Sequence, residues 1–170
     1  PRESDFTPGQ TVYNIKGDFT MIGNTNLTLE NYTDTRNNSN NDMEYVDVDG
    51  DPSTSNSSSS TLTFSTENGA NPNCSNIIYA GLYWTGRGGS NITKFKGPGQ
   101  SYQTLVADAG DIRYPGDSRM FAAYKEVTSE VRSAGLGEYF VADIALTEGD
   151  GGSTGYYGGW GMVVVYENSK

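Results

Sequence analysis

The sequence predicts an all-β fold, a β-sandwich or jelly-roll-like arrangement with long polar loops and at most one short helix. Three observations carry this. Hydrophobic residues make up only 34% of 170, and Asn, Ser, Thr and 22 Gly fill the deficit rather than charge, at 19%. A helical domain would draw instead on Ala, Leu, Glu and Lys. Roughly eight to ten short β-branched and aromatic runs are separated by turn residues, the spacing of a sandwich. Twelve Tyr supply large rings with a polar tip, which suit the core and rim of a secreted β domain.

Residues 1–10 read as an irregular N-terminal arm and 11–170 as one sandwich domain. Segments 11–16 and 18–22 read as short strands divided by Gly17, and 27–29 as a third apolar patch. Asn-rich 31–41 lacks periodicity and reads as a surface loop. Residues 43–48 alternate as a strand, closed by Asp49-Gly50-Asp51-Pro52. Nearly all Ser, 53–60 reads as a flexible loop, with a strand resuming over 61–64. Near-continuous apolarity over 77–84 predicts a strand covered on both faces. Segments 92–96 and 102–107 follow, joined at Gly97-Pro98-Gly99.

Residues 120–127 read as a strand and 128–134 as the one helix, with Thr128 as its N-cap and Gly135 as its stop. In 138–146, Phe140, Ala142, Ile144 and Leu146 fall on one face. A Gly-rich loop spans 149–159, and 160–167 is the last strand. The chain stops three residues beyond it. A polypeptide that continues is expected, with this piece at the N-terminal end of something longer.

Charge and composition narrow the function. Eleven basic against 21 acidic residues give a net charge of −10, which repels phosphate backbones and anionic membranes. A nucleic-acid or membrane-inserted role is therefore not expected. With no His, the commonest general base and zinc ligand is missing. No nucleophile motif appears and no carboxylate pair stands out by spacing, so an enzyme is not expected. The single Cys, Cys74, allows no internal disulfide and reads as a small buried or half-buried residue.

Two constellations are candidate sites. Asp47, Asp49 and Asp51 alternate, so in an extended chain they share one face at a spacing of about 6.6 Å. Two such charges repel by about 0.6 kcal/mol in water and about 2.5 kcal/mol near a protein surface. Calcium would relieve that repulsion; a solvated acidic turn is the plainer reading. Pro52 and Ser58 stand where an EF-hand needs Gly and Glu, so the loop is not one. Asp108, Asp111 and Asp117 form a second acidic group that could join such a site. The other constellation is the loop holding Tyr156 and Tyr157 and ending at Trp160, whose rings could stack on sugar faces or pack onto the sandwich. The sequons at Asn26, Asn31, Asn56 and Asn91 read as loop composition.

Four stretches occur in a familiar order: 16–24, around Lys16-Gly17-Asp18-Phe19; 43–51, ending Asp47-Val48-Asp49-Gly50-Asp51; Tyr79-Ala80-Gly81-Leu82-Tyr83-Trp84; and 158–167, around Trp160-Gly161-Met162-Val163. Together they resemble the N-terminal region of large cell-surface proteins and adhesins that gliding and related Bacteroidota (flavobacteria) export by type IX secretion. The resemblance implies an extracellular, cell-surface location and an adhesive or structural role. It carries over no binding residues. Two functions are thus expected: a non-catalytic adhesin-type domain, calcium-stabilised, that binds a glycan or a cell or substrate surface; or a structural subunit of a surface filament or multimeric assembly, whose partners are copies of itself.

Overall fold

A computed structural model describes Phe6 and residues 12–36, 41–116 and 119–168. Most of the expected N-terminal arm, and Asp117, lie outside the described residues. Twelve strands, among the described residues, form three antiparallel sheets. β1 (Gly17–Thr25), β12 (Gly158–Glu167), β5 (Asn76–Arg87), β9 (Met120–Glu126) and β8 (Ile112–Arg113) make a five-stranded sheet in that order. β4 (Ser57–Leu62), β10 (Gly137–Ala142), β6 (Ile92–Lys96) and β7 (Gln103–Val106) make a four-stranded sheet. A small sheet joins β11 (Gly149–Asp150), β3 (Asp42–Tyr45) and β2 (Leu27–Leu29). The architecture is the expected all-β, sandwich-like one.

Alternation decides what each sheet buries. On β12 every second residue from Gly158 to Tyr166 is buried, and those between are half-exposed. Trp160, Met162 and Val164 pair with Trp84, Leu82 and Ala80 of β5, so the inward rows coincide. From the other sheet Leu62, Phe95, Tyr139 and Val141, all with no exposure, meet them. Phe64 stacks on Tyr166 with ring centroids 3.8 Å apart and closes one side. Each large side chain so buried contributes about 1.5–3 kcal/mol.

The one α-helix, α1 (Thr128–Ala134), lies where expected and ends at Gly135, whose φ of 75° suits glycine. Its cap differs. Val127 is the N-cap residue, with no side-chain cap bond. The Thr128 hydroxyl instead accepts from the Ala80 amide and donates to Glu126. The helix is tied to β5 rather than capped; Arg132 reinforces this by donating its Nε to the Ile77 carbonyl at 2.6 Å.

Other expectations are corrected. Gly17 does not divide two strands: β1 begins there, and 12–16 is not strand. The Ser-rich stretch is no flexible loop. Its second half is β4, with Ser57 and Ser58 wholly buried. Their hydroxyls are the reason: Ser57 Oγ donates to Asp47, and Ser58 Oγ donates to Asn26 Oδ1 and accepts from the Trp160 indole. Cys74 is exposed, in a short 3₁₀ turn (Pro72–Cys74) before β5. Phe140 does not share a face with Ile144 and Leu146. β10 ends at Ala142, and Asp143 takes a left-handed φ of 53° that breaks the alternation. Tyr139 and Val141 point inward, and Phe140 lies half-exposed on the outer side.

Among the described residues, the buried side-chain polar atoms are satisfied with two exceptions, Trp84 Nε1 and Asn168 Oδ1. Asn26 donates to Asn56 Oδ1 and the Val141 carbonyl, and Asn56 donates to the Ile144 carbonyl. Both sequon asparagines are therefore core residues, at 0% and 2% exposure, closed to glycosylation. Trp160 Nε1 donates to Ser58 at 2.9 Å, whereas the Nε1 of Trp84, its cross-strand neighbour, has no partner among the described residues. Trp160→Phe therefore leaves Ser58 short of a donor, and Trp84→Phe leaves nothing short. Denaturant unfolding is expected to show Trp160→Phe costing about 1–2 kcal/mol more than Trp84→Phe. Equal costs would refute the assignment.

Candidate functional site

The acidic turn follows β3. Gly50, at φ 65°, lets the chain reverse between Asp49 and Asp51. The carboxylates then bind their own backbone: Asp49 Oδ1 accepts from the Asp51 amide at 2.8 Å, and Asp51 Oδ1 accepts from the Ser53 amide at 2.9 Å. Asp47 Oδ1 accepts from Ser57 Oγ at 2.8 Å, while that oxygen accepts from the Val48 and Asp49 amides. Asp49 also accepts from Thr54 Oγ1 and from the Tyr102 hydroxyl ahead of β7. The turn is thus folded onto the four-stranded sheet by its own donors.

Electrostatics agree with this geometry. Burial raises the Asp49 carboxyl, but the bonds from Tyr102, the Asp51 amide and Thr54, together with the Lys96 charge, outweigh it and hold the pKa below the ordinary value. Burial and the Asp49 carboxylate push the Tyr102 hydroxyl far above its ordinary range, so it stays a donor. Asp51 is also lowered, mainly by the Ser53 backbone bond.

The five aspartates expected to share calcium do not assemble. Asp108 is an exposed side chain that pairs with Lys125 of β9 at 3.3 Å. Asp111 is buried at the end of a 3₁₀ turn (Ala109–Asp111) before β8. Asp47, Asp49 and Asp51 sit instead between β3 and β4. Among the described residues, no three His, Cys, Asp or Glu side chains form a group that could hold a metal. Alternate spacing brought the three carboxylates close in sequence, but Asx-type bonding turned two of them back onto the chain.

The Gly-rich loop is likewise tied down. Trp160 is only 6% exposed and belongs to the core, so it offers no face to a sugar. Tyr156 is half-buried against the core, with the Arg87 guanidinium 5.3 Å from its ring centre. Arg87 also donates to the Gly151 carbonyl at 3.1 Å. Tyr157 is half-buried beside it. Packing accounts for Trp160 and Tyr156.

A patch that sequence reasoning missed lies on the outer face of the four-stranded sheet. Lys96 of β6 stands 4.3 Å from the Tyr102 ring centre and 4.6 Å from that of Phe140. Lys94, two residues back on the same face, pairs with Asp143 at 2.8 Å and donates to the Ser53 carbonyl. Asp143 in turn accepts from the Ser55 amide at 2.7 Å. Charges of both signs, aromatic edges and hydroxyls thus form one platform built from the acidic turn, the β6–β7 connection and the end of β10. The available signal was alternation in β6, which sets Lys94 and Lys96 on one side. Phe140 was hidden by the break at Asp143.

A group whose pKa is lowered in the folded state adds stability above its unfolded value, about 3.9 for Asp, and that stability is lost as pH falls through the folded pKa. Tyr102→Phe removes one lowering bond. It is expected to cost about 1 kcal/mol at neutral pH, the value of a partly exposed bond to a charged group. It should also move the acid-side loss of melting temperature to higher pH. An acid profile unchanged in Tyr102→Phe would show that this bond does not hold the turn. No protein-family model, no curated protein and no solved structure matches the chain.

Proposed function

We propose that this chain is an extracellular, cell-surface binding domain of the adhesin type, without catalytic chemistry. The observation that carries the reading is the platform around Lys96. Its rings, ammonium groups and carboxylates come from strands β6 and β10 and from the loops beside them, and each is fixed by a contact to another part of the chain. Such preorganisation lowers the ordering cost of binding. An open, hydroxyl- and charge-bearing surface suits an extended polar ligand, and a glycan or a glycan-coated surface has that chemistry. The composition supports the same reading: a chain with no His and a net charge of −10 is better suited to recognition outside the cell than to acid–base catalysis. The resemblance to type IX-exported adhesins of Bacteroidota agrees in location and role.

The test is a glycan array probed with and without chelator, using the natural chain, Lys96→Ala and Phe140→Ala. The expected result is binding to at least one glycan that both variants weaken at least about tenfold, a loss of about 1.4 kcal/mol. Silence in both conditions sinks the proposal. Binding that survives chelation leaves Asp47, Asp49 and Asp51 as fold-holding groups alone; binding lost with chelator and restored by calcium gives them a metal.

A further inference from the structure

Arg132, in the last turn of α1, is held by an irregularity in β5. Val165 of β12 faces Tyr79 and Tyr166 faces Ile77, so Ile78 is the extra residue of a bulge. In a regular strand the carbonyls of successive residues point to opposite edges. Here one guanidinium takes both: Arg132 Nε donates to the Ile77 carbonyl at 2.6 Å and Nη2 to the Ile78 carbonyl at 3.2 Å. Those two bonds use one edge of the planar fork. The other edge, Nη1 with the second Nη2 proton, has no partner among the described residues.

Arg132 lines a cleft of about 490 Å³ between the end of α1, the Pro72–Cys74 turn and the start of β5. That volume lies within the range of small-ligand sites. Phe64, Pro72, Ile77 and Leu136 give it carbon walls, and Asn73 and Ser75 a polar rim. No Asp or Glu lines it, in a chain with 21 of them. The acidic residues nearest in sequence or register are bonded or set apart. Glu130 and Glu138 accept from the Ser129 and Ser59 hydroxyls, and Glu67 and Glu167 line other clefts.

We infer that this cleft binds a carboxylate joined to an apolar group, with the carboxylate on the open edge of Arg132 and the apolar group against Phe64, Ile77 and Leu136. Three features select that ligand. The open edge offers two parallel N–H donors, the geometry that a carboxylate accepts bidentately. The walls reward an apolar neighbour of that carboxylate. The net charge of −10 repels a dianion such as phosphate more than a monoanion. The bonds to Ile77 and Ile78 fix the guanidinium beforehand, so less ordering is lost on binding. A free organic acid and the last residue of a peptide chain both carry this chemistry. The cleft shares no residue with the platform around Lys96, and the inference does not depend on that platform's role.

The measurement is an NMR titration of the natural chain with two probes, 4-phenylbutyrate and a short peptide ending in Leu, each beside its neutral C-terminal amide. At least one free carboxylate is expected to give saturable shifts at Phe64, Ile77, Leu136 and the Arg132 Nε–H, with a Kd of about 1 mM or tighter. Its amide should bind at least about tenfold more weakly. Arg132→Lys keeps the charge and gives up the fork, and should cost at least about tenfold. Asn73→Asp leaves Arg132 and the bulge untouched, sets a negative charge on the rim, and should cost at least about threefold. Lys96→Ala should change nothing. Melting curves confirm that each variant is folded. Binding of 4-phenylbutyrate alone assigns the cleft to a free acid, and binding of the peptide alone to a chain end. No saturable shift from either carboxylate overturns the inference. So does an amide that binds as tightly as its acid, binding indifferent to both Arg132→Lys and Asn73→Asp, or binding lost in Lys96→Ala.

Discussion

The buried hydrogen-bond cluster centred on Asn26 is the constraint on which the rest of the structure depends. Asn26 sits between β1 and β2, with no exposure. Its side chain reaches Asn56 before β4, Ser58 within it and the Val141 carbonyl of β10. Its backbone N–H donates to the Gly158 carbonyl at the start of β12, and its own carbonyl accepts from Val46 after β3. One residue therefore touches all three sheets. An unpaired polar group buried there would cost about 1–3 kcal/mol, so a slip in any of these strands is penalised several times over. Hydrophobic burial supplies most of the free energy but is non-directional. This cluster supplies the direction.

That constraint explains why the Ser-rich segment is ordered. A serine run has little to bury and is read as a loop on composition. Here the segment lies beside Asn26 and the Trp160 indole, both of which need partners at short range. Small hydroxyls fit where larger side chains would not, and β4 forms in register with β10 from Leu62 to Ser57. The need arises from residues tens of positions away in the chain, such as Trp160.

What was legible in the sequence is what local pattern determines. The apolar run centred on Val163, Val164 and Val165 located β12, apolar continuity located β5, and the Gly135 stop located the end of α1. The acidic turn was visible as a turn, because Asp-Gly-Asp chemistry is local. What was not legible depends on distant partners. Tyr102 and Lys96 meet the turn only after β6 and β7 have paired in the sheet. Phe140 was assigned the wrong side because one left-handed residue, Asp143, resets the alternation, and an Asp in that conformation leaves no periodic trace. Trp160 was read both as the end of the Gly-rich loop and as the start of the last strand; β12 begins at Gly158, and its alternation sets Trp160 inward with Met162 and Val164.

The two outer faces of the sandwich divide the chemistry between them. One carries Lys94, Lys96, Asp49 and Asp143, each charge neutralised or bonded nearby, so its field is short-ranged and its specificity lies in geometry. The other carries exposed Phe19 and Met21 beside the tyrosines, with Arg113 and Glu126 toward its β8–β9 side. A single ligand that used both would have to wrap the sandwich edge. Two separate partners, one polar and one apolar, need only the surfaces as they stand.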